Sequence, residues 1–383
     1  MIKSIPYGKH SISEQDIQNV VKVLKSDYLT QGPVINEFEK CFADYIGSKF
    51  TVAVSNGTAA LHLSALVMDI KPGDKVITTP ITFAATANCV RYAGGEVIFS
   101  DIDPNTFLLD INKVESVLKR TQNVKGIIPV DFAGYPVNME EYRFLADKYN
   151  LWIIEDACHA PGGFFIDSKG LEQKCGNNTY SELSIFSFHP VKHIACGEGG
   201  MISTNNFDFY ERLQLLRSHG ITKSDKLMQD NHGSWYYEMQ ELGYNYRLSD
   251  IHAALGKSQL EKADDRLKRR TEIAEKYTHS LNALAIKLPR ISSNISHAWH
   301  LYVILSNRRD ELYYHLHKNN IFAQVHYIPV HLQPYYRQLG WKKGDMPIAE
   351  NYYEKCLSLP IFPALTENEQ HFVIKTIKEF FDG

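Results

Sequence analysis

Residues 51–67 read TVAVSNGTAALHLSALV: a short β-branched run, a turn of small residues around Ser55, Asn56, Gly57 and Thr58, then an apolar stretch of helical length. A strand that passes through a tight turn into a helix is half of a βαβ unit. Working outward, the same alternation recurs. Apolar, β-branched runs stand at 51–55, 75–79, 96–102, 124–130, 152–156, 183–188 and 200–204, separated by amphipathic or turn-rich segments. Nearly continuous apolar runs suit strands buried on both faces. The expectation is an α/β fold with a seven-stranded, mostly parallel sheet between helices, whose ligands collect just beyond the carboxyl ends of the strands.

From 251 to about 281 the pattern changes. Leu260, Ala263, Leu267, Ala274 and Tyr277 recur at mixed three- and four-residue steps amid many charges, which predicts one long connecting helix. The apolar heptad is not sustained, which argues against a coiled coil. An aromatic strand at 298–305, a helix at 310–319 and a segment at 321–336 follow. A chain of 383 residues is too long for one core of ordinary size. Residues 1–250, with an N-terminal arm, therefore read as a large domain, and 251–383 as a smaller C-terminal α+β domain.

Composition narrows the function classes. Hydrophobic residues make up 44% and charged residues 22%, as in ordinary globular proteins, and the net charge is only -3. The densest basic run, 266–270, lies in a helical pattern with acidic neighbours and reads as a solvated face, so no nucleic-acid partner is expected. Six scattered cysteines form no CxxC pair or metal-finger spacing, which fits reduced thiols and no structural metal. The first ten residues hold no apolar segment of signal-peptide length, and no run approaches about 18 apolar residues, so a soluble cytoplasmic protein without a membrane partner is expected.

Four places carry chemistry. The turn at Ser55–Leu61 presents small residues and backbone amides at a helix N-terminus, either as an anion cradle or as an ordinary cap with Thr58 near its start. Glu155-Asp156-Ala157-Cys158-His159 ends an apolar strand. Asp156 there can hold a pyridine nitrogen protonated with His159 beside the ring's oxygen substituent, can ligate a metal together with His159, or can simply cap the next segment. No further residues at metal spacing accompany them. Ser187-Phe188-His189-Pro190-Val191-Lys192 joins a strand to the glycine-rich turn Cys196-Gly197-Glu198-Gly199-Gly200. Most lysines are surface charges, but one held against an apolar strand loses its proton more easily, and the neutral amine condenses with aldehydes. Finally, Gly243-Tyr244-Asn245-Tyr246-Arg247 supplies either caps and surface groups or a phosphate contact, possible even across a subunit boundary.

Taken in order, the motifs SNGTAAL, PGDKVITTPITFAATAN, EDACHA, SFHPVKHIACGEGGMIST, LRSHGI, GYNYRLSDIHAALG and HYIPVHLQPYY resemble the DegT/DnrJ/EryC1/StrS sugar aminotransferases, and the resemblance covers nearly the whole chain. It implies a fold-type I pyridoxal-phosphate enzyme. By that resemblance Lys192 carries pyridoxal 5'-phosphate as a Schiff base and Asp156 partners the pyridine nitrogen, the two forming the catalytic pair. Phe83 would stack on the ring, His159 would stand where relatives often have Gln, Thr58, Ala59 and Ser187 would contact the phosphate, and Asn245 would reach it from the other subunit of a homodimer. Within the family, the combination of Ser187-Phe188-His189-Pro190-Val191-Lys192 with LRSHGI, the stretch Tyr28-Leu29-Thr30-Gln31-Gly32 and HYIPVH looks most like the aminotransferases of pseudaminic acid biosynthesis. That implies L-glutamate as amino donor and C4 of a UDP-linked 4-keto-6-deoxy-N-acetylhexosamine as acceptor. Tyr7, Tyr28, Leu29, Thr30, Gly57, Ser187, Asn245, Gln324, Val325, His326 and Tyr327 would then line the nucleotide-sugar site.

Overall fold

The computed structural model describes residues 4–382. Its centre is one seven-stranded sheet: β1 (Phe50–Val54), β2 (Lys75–Thr78), β3 (Glu96–Phe99), β4 (Val124–Ile128), β5 (Trp152–Asp156), β6 (Leu183–Ser187) and β7 (Gly200–Thr204). The spatial order is β1-β7-β6-β5-β4-β2-β3. All pairings are parallel except those of β7, which runs antiparallel to both neighbours. Val52, Val54, Ile77, Ile127, Ile153 and Ile185 are wholly buried, as strands covered by helices on both faces require.

Two expected strands stop more than one residue early. β3 ends at Phe99 rather than 102, and Ile102 instead bridges Leu109. β4 ends at Ile128, and beyond it Val130 makes an isolated bridge with Asp156 as the chain leaves the sheet. The aromatic strand also shrinks, to Tyr302–Leu305 paired with Cys356–Leu359. Residues 298–301 are pinned instead to a turn, with the amides of Ala298 and Leu301 donating to the carbonyls of Gly134 and Ala133. A Cβ at Gly134 (φ 96) would come within 2.8 Å of the Trp299 nitrogen, so glycine permits that close crossing.

The connecting segment is two helices, Asp250–Leu260 and Ala263–Leu281, not one. Lys262 breaks the run: its ammonium donates to Asp16 Oδ1 at 2.8 Å and Ser13 Oγ at 2.6 Å. Asp16, wholly buried, also collects Ser258 Oγ and Gln259 Nε2. Burial alone would raise its pKa, but the hydrogen bonds from Lys262, Ser13 and Ser258 win and hold it below the usual carboxylate range. Those bonds fasten the N-terminal helix Glu14–Leu24 to the break between the two helices.

The helix Asp250–Leu260 contributes Ala253 and Leu260 to a core shared with Phe38, Phe42, Phe186 and Phe188. A separate core gathers Ile273, Tyr277, Ile304, Leu312, Leu357 and Ile377, together with Ile5 from the N-terminal arm. Ile5–Pro6 pairs in parallel with Ile321–Phe322, and this carries the next residue, Tyr7, to the seam between the cores.

Successive strand residues face opposite sides of a sheet, so Glu155 and Asp156 part company at the end of β5. Glu155 turns to a buried pocket, where its carboxylate accepts from the Gly176 amide at 3.0 Å and Ser184 Oγ at 2.6 Å. Carboxylate oxygens of Asp131 and Glu155 and the Cys175 sulfur lie within 4.8 Å of one another, the one cluster of potential metal ligands among the described residues. Neither Asp156 nor His159 belongs to it. Asp131 accepts from the Val137 amide at 2.8 Å. Burial first, then the charge of Glu155, push Asp131 well above the usual carboxylate range, so it is a neutral acid able to donate to Glu155.

A raised folded-state value means stability that is full below about pH 4, the unfolded value, and is lost as pH rises toward the folded one. Asp131→Asn keeps the shape and does not titrate. Its stability relative to wild type should therefore improve as pH rises above about 4, the unfolded carboxylate value, in urea unfolding. A difference independent of pH would remove the shared proton from this account.

Candidate active site

The carboxyl ends of β1, β5 and β6 open onto a cavity of about 610 Å³. β1 passes through Ser55 to Asn56, which caps the helix Gly57–Val67: its Oδ1 accepts from the Ala59 amide at 2.8 Å. Asn56 therefore takes the cap for which Thr58 was the candidate. A helix leaves its first amides without intrahelical acceptors. With the Ala59 amide on Asn56, those of Gly57 and Thr58 remain for an external acceptor, beside the hydroxyls of Thr58 and Ser187 on the cavity wall. A Cβ at Gly57 would stand 3.0 Å from that of Ser187, so glycine brings helix and strand together into one cradle. Such a helix start favours an anion. Ala59 contributes wall but not its amide.

Asp156, 3% exposed, lies across the cavity at the end of β5. Thr86 Oγ1 donates to its Oδ2 at 2.7 Å and the Cys158 amide approaches Oδ1 at 3.2 Å. Lys192 stands in the turn after β6, its amide donating to the His189 carbonyl at 2.8 Å. Burial lowers the pKa of its amine; Cys158 and Asp156 oppose this, and the Arg270 charge adds to it. The site thus sets an amine that is easily neutralised, a fixed carboxylate and an anion cradle around one space.

His159 is held neutral, chiefly by burial and next by the Lys192 charge. Its Nδ1 accepts from the Ala133 amide at 3.2 Å, so its proton sits on Nε2, which faces the Tyr327 hydroxyl at 3.4 Å. Phe83 stands at the mouth, 63% exposed, its ring 6.4 Å from that of Tyr327. Tyr7 packs 5.0 Å from His326, whose Nδ1 pairs with Ser358 Oγ at 2.9 Å and whose pKa burial lowers to about 4.

Six expected residues do not line this cavity. Tyr28, Leu29 and Thr30 run along the surface, where the Leu29 carbonyl accepts from the Asp250 amide at 3.0 Å and Thr30 bridges Ser249. Asn245 is exposed, although its neighbour Tyr246 lines the cavity. Gln324 bridges Ser358 through its backbone with its side chain outward, and Val325 packs between two cores. Conversely, Asn56, Thr82, Thr86, Glu198, Tyr246 and His300 line the cavity without having been given a role of their own. Thr82 and Thr86 had a legible signal, two hydroxyls four residues apart at a helix start. His300 had none, since it reads as part of a strand.

Comparison with known proteins finds relatives over nearly the whole chain. The model of the DegT/DnrJ/EryC1/StrS aminotransferase family matches residues 10–378. The UDP-4-amino-4,6-dideoxy-N-acetyl-beta-L-altrosamine transaminase of Campylobacter jejuni is 38% identical, over 97% of this chain and 96% of its own. A spore coat polysaccharide biosynthesis protein of Bacillus subtilis is 37% identical, over 99% of this chain and 97% of its own. Among solved structures, Helicobacter pylori PseC, an aminotransferase involved in the biosynthesis of pseudoaminic acid, superposes with a TM-score of 0.89 at 29% identity, covering 99% of this chain and 100% of its own. With nearly its whole length matched, the chain belongs to the DegT/DnrJ/EryC1/StrS aminotransferase family, whose enzymes transfer amino groups to sugars with pyridoxal phosphate.

Proposed function

We propose that this sugar aminotransferase moves the amino group of L-glutamate to C4 of a UDP-linked 4-keto-6-deoxy-N-acetylhexosamine, the reaction type of pseudaminic acid biosynthesis. One observation carries the chemistry: an amine of lowered proton affinity and a buried carboxylate share a cavity with a helix start that has two amides without intrahelical acceptors. These residues fit pyridoxal phosphate at three points. Lys192 would meet the aldehyde, Asp156 the ring nitrogen, and Gly57, Thr58 and Ser187 the phosphate. His159 Nε2–H suits the ring's oxygen substituent, and Phe83 a ring face.

When bound, the cofactor supplies an electrophilic carbonyl carbon and a ring that accepts an electron pair. Lys192 Nζ anchors it and, once released, is the base that takes the proton from the donor's α-carbon and returns one to the acceptor carbon. Asp156 keeps the ring nitrogen protonated. Tyr7, His326 and Tyr327 face the acceptor. The choice of sugar is supported by the 38% identity to the altrosamine transaminase; the similarity to a spore coat polysaccharide biosynthesis protein supports the second reading, another nucleotide-linked keto sugar. Glutamate and a panel of UDP-linked keto sugars, analysed by mass spectrometry, decide between them. Amination of the 4-keto-6-deoxy sugar is expected, and its absence alongside amination of another sugar selects the second reading.

The active unit proposed is a cytoplasmic homodimer with shared sites. Asn245 and the Tyr28–Thr30 stretch, exposed in one chain, then complete the site of the other. Among the described residues no helix is long and apolar enough to cross a membrane. Mixing inactive Lys192→Ala and Asn245→Ala chains should restore part of the activity, because one mixed site receives an intact lysine and an intact asparagine. No recovery after subunit exchange would place Asn245 outside the partner's site.

A further inference from the structure

Two hydroxyls in series stand behind Asp156. Thr86 Oγ1 donates to Asp156 Oδ2 at 2.7 Å, and the hydroxyls of Thr82 and Thr86 are 2.8 Å apart. A carboxylate only accepts, and a hydroxyl has one proton. The Thr86 proton is therefore committed to Asp156, and Thr82 must be the donor in the second bond. Donation runs one way, from Thr82 through Thr86 to Asp156.

The local structure explains the alignment. Thr82 and Thr86 flank the start of the helix Ala84–Tyr92, one turn apart, where residues four apart lie on one side. A threonine inside a helix commonly bonds back to the carbonyl four residues earlier. Thr86 bonds instead to the Thr82 hydroxyl and to a strand seventy positions away in sequence. All three residues are buried, and all three line the cavity. In such surroundings serial hydrogen bonds polarise one another and strengthen the last of them. Asp156 Oδ1 is held separately, by the Cys158 amide.

We propose that Thr86, oriented by Thr82, is a positioning residue that fixes the Asp156 carboxylate and sets how strongly it holds the proton of the cofactor's ring nitrogen. This rests on the reading of Asp156 given above. Loss of the donor leaves Oδ2 free to turn away from the ring nitrogen, loosens the hold of Asp156 on the ring proton and weakens the ring as an electron acceptor.

The test uses the full-length holoenzyme with Thr86→Val, Thr86→Ser, Thr82→Val, the double Thr82→Val/Thr86→Val, and Asp156→Asn. Two properties are followed: the pH titration of the absorbance of the lysine-bound cofactor, and kcat against KM. Thr86→Val should move the titration midpoint upward and lower kcat roughly tenfold or more, with KM for the amino donor within about twofold. Thr86→Ser should restore both. Thr82→Val should shift them in the same direction by less, and the double variant should be no worse than Thr86→Val, because Thr82 acts only through Thr86.

Should Thr86→Val fail to fold, Thr82→Val and Thr86→Ser carry the same comparison. A titration that moves in Asp156→Asn but in neither threonine variant overturns the proposal while leaving Asp156 in its role. A titration that moves in none of them overturns both.

Discussion

Lys192→Ala is expected to abolish turnover, by roughly 10⁴-fold or more, and to leave the protein unable to retain the cofactor's visible absorbance through dialysis. The size follows from two roles lost together, the covalent anchor and the base at the reacting carbon. Both depend on an amine that gives up its proton below the ordinary lysine value of about 10.4, and burial of Lys192 provides this. On the same ground, wild-type activity should rise with pH to a plateau reached below that value. Borohydride reduction of the holoenzyme should fix the cofactor mass on the peptide bearing Lys192. Retention of both absorbance and turnover by the alanine variant would end the assignment.

Asp156→Asn should follow closely, lowering kcat by about 10²–10³-fold, the scale seen when one preorganised electrostatic partner of a developing charge is removed. The expected signature differs from that of the lysine. The asparagine variant still captures the cofactor on Lys192, so absorbance survives dialysis while turnover falls. Asparagine can keep its oxygen toward the Cys158 amide, but its amino group meets the Thr86 hydroxyl as a second donor. Part of the loss is therefore positional. A variant as active as wild type would show that the ring nitrogen has another partner.

Much of the fold is legible along the chain because each βα unit is local. The run at 51–55, the turn at Ser55–Thr58 and the helix after it are adjacent residues, and the structure differs from their reading by a residue at the strand and by the identity of the cap. Boundaries failed where a distant partner intervened. The connecting helix breaks because Lys262 is drawn to Asp16, about two-thirds of the chain away, and the aromatic strand is shortened because residues 298–301 are tied to Ala133 and Gly134. No periodicity records such ties.

The site divides in the same way. Lys192, Asp156 and the Gly57–Thr58 turn were recognisable because each sits at the end of an apolar strand, where an α/β sheet presents its ligand-facing groups. His300 was not, and Tyr246 and Glu198 stood in recognisable stretches without a role of their own, since their place on the wall depends on how loops cross the sheet end.

By itself, then, the order of residues determined the alternation of strands and helices, the sheet they build and the three groups at its carboxyl edge, since these follow from side-chain periodicity over a few residues. Only the tertiary structure decided which oxygen of Asp156 meets Thr86, which nitrogen of His159 carries the proton, and that Glu155 and Asp131 stand together on the far side. Those are matters of distance and burial between segments far apart in the chain. There the cost of an unpaired polar group selects one arrangement from many that the sequence pattern allows equally.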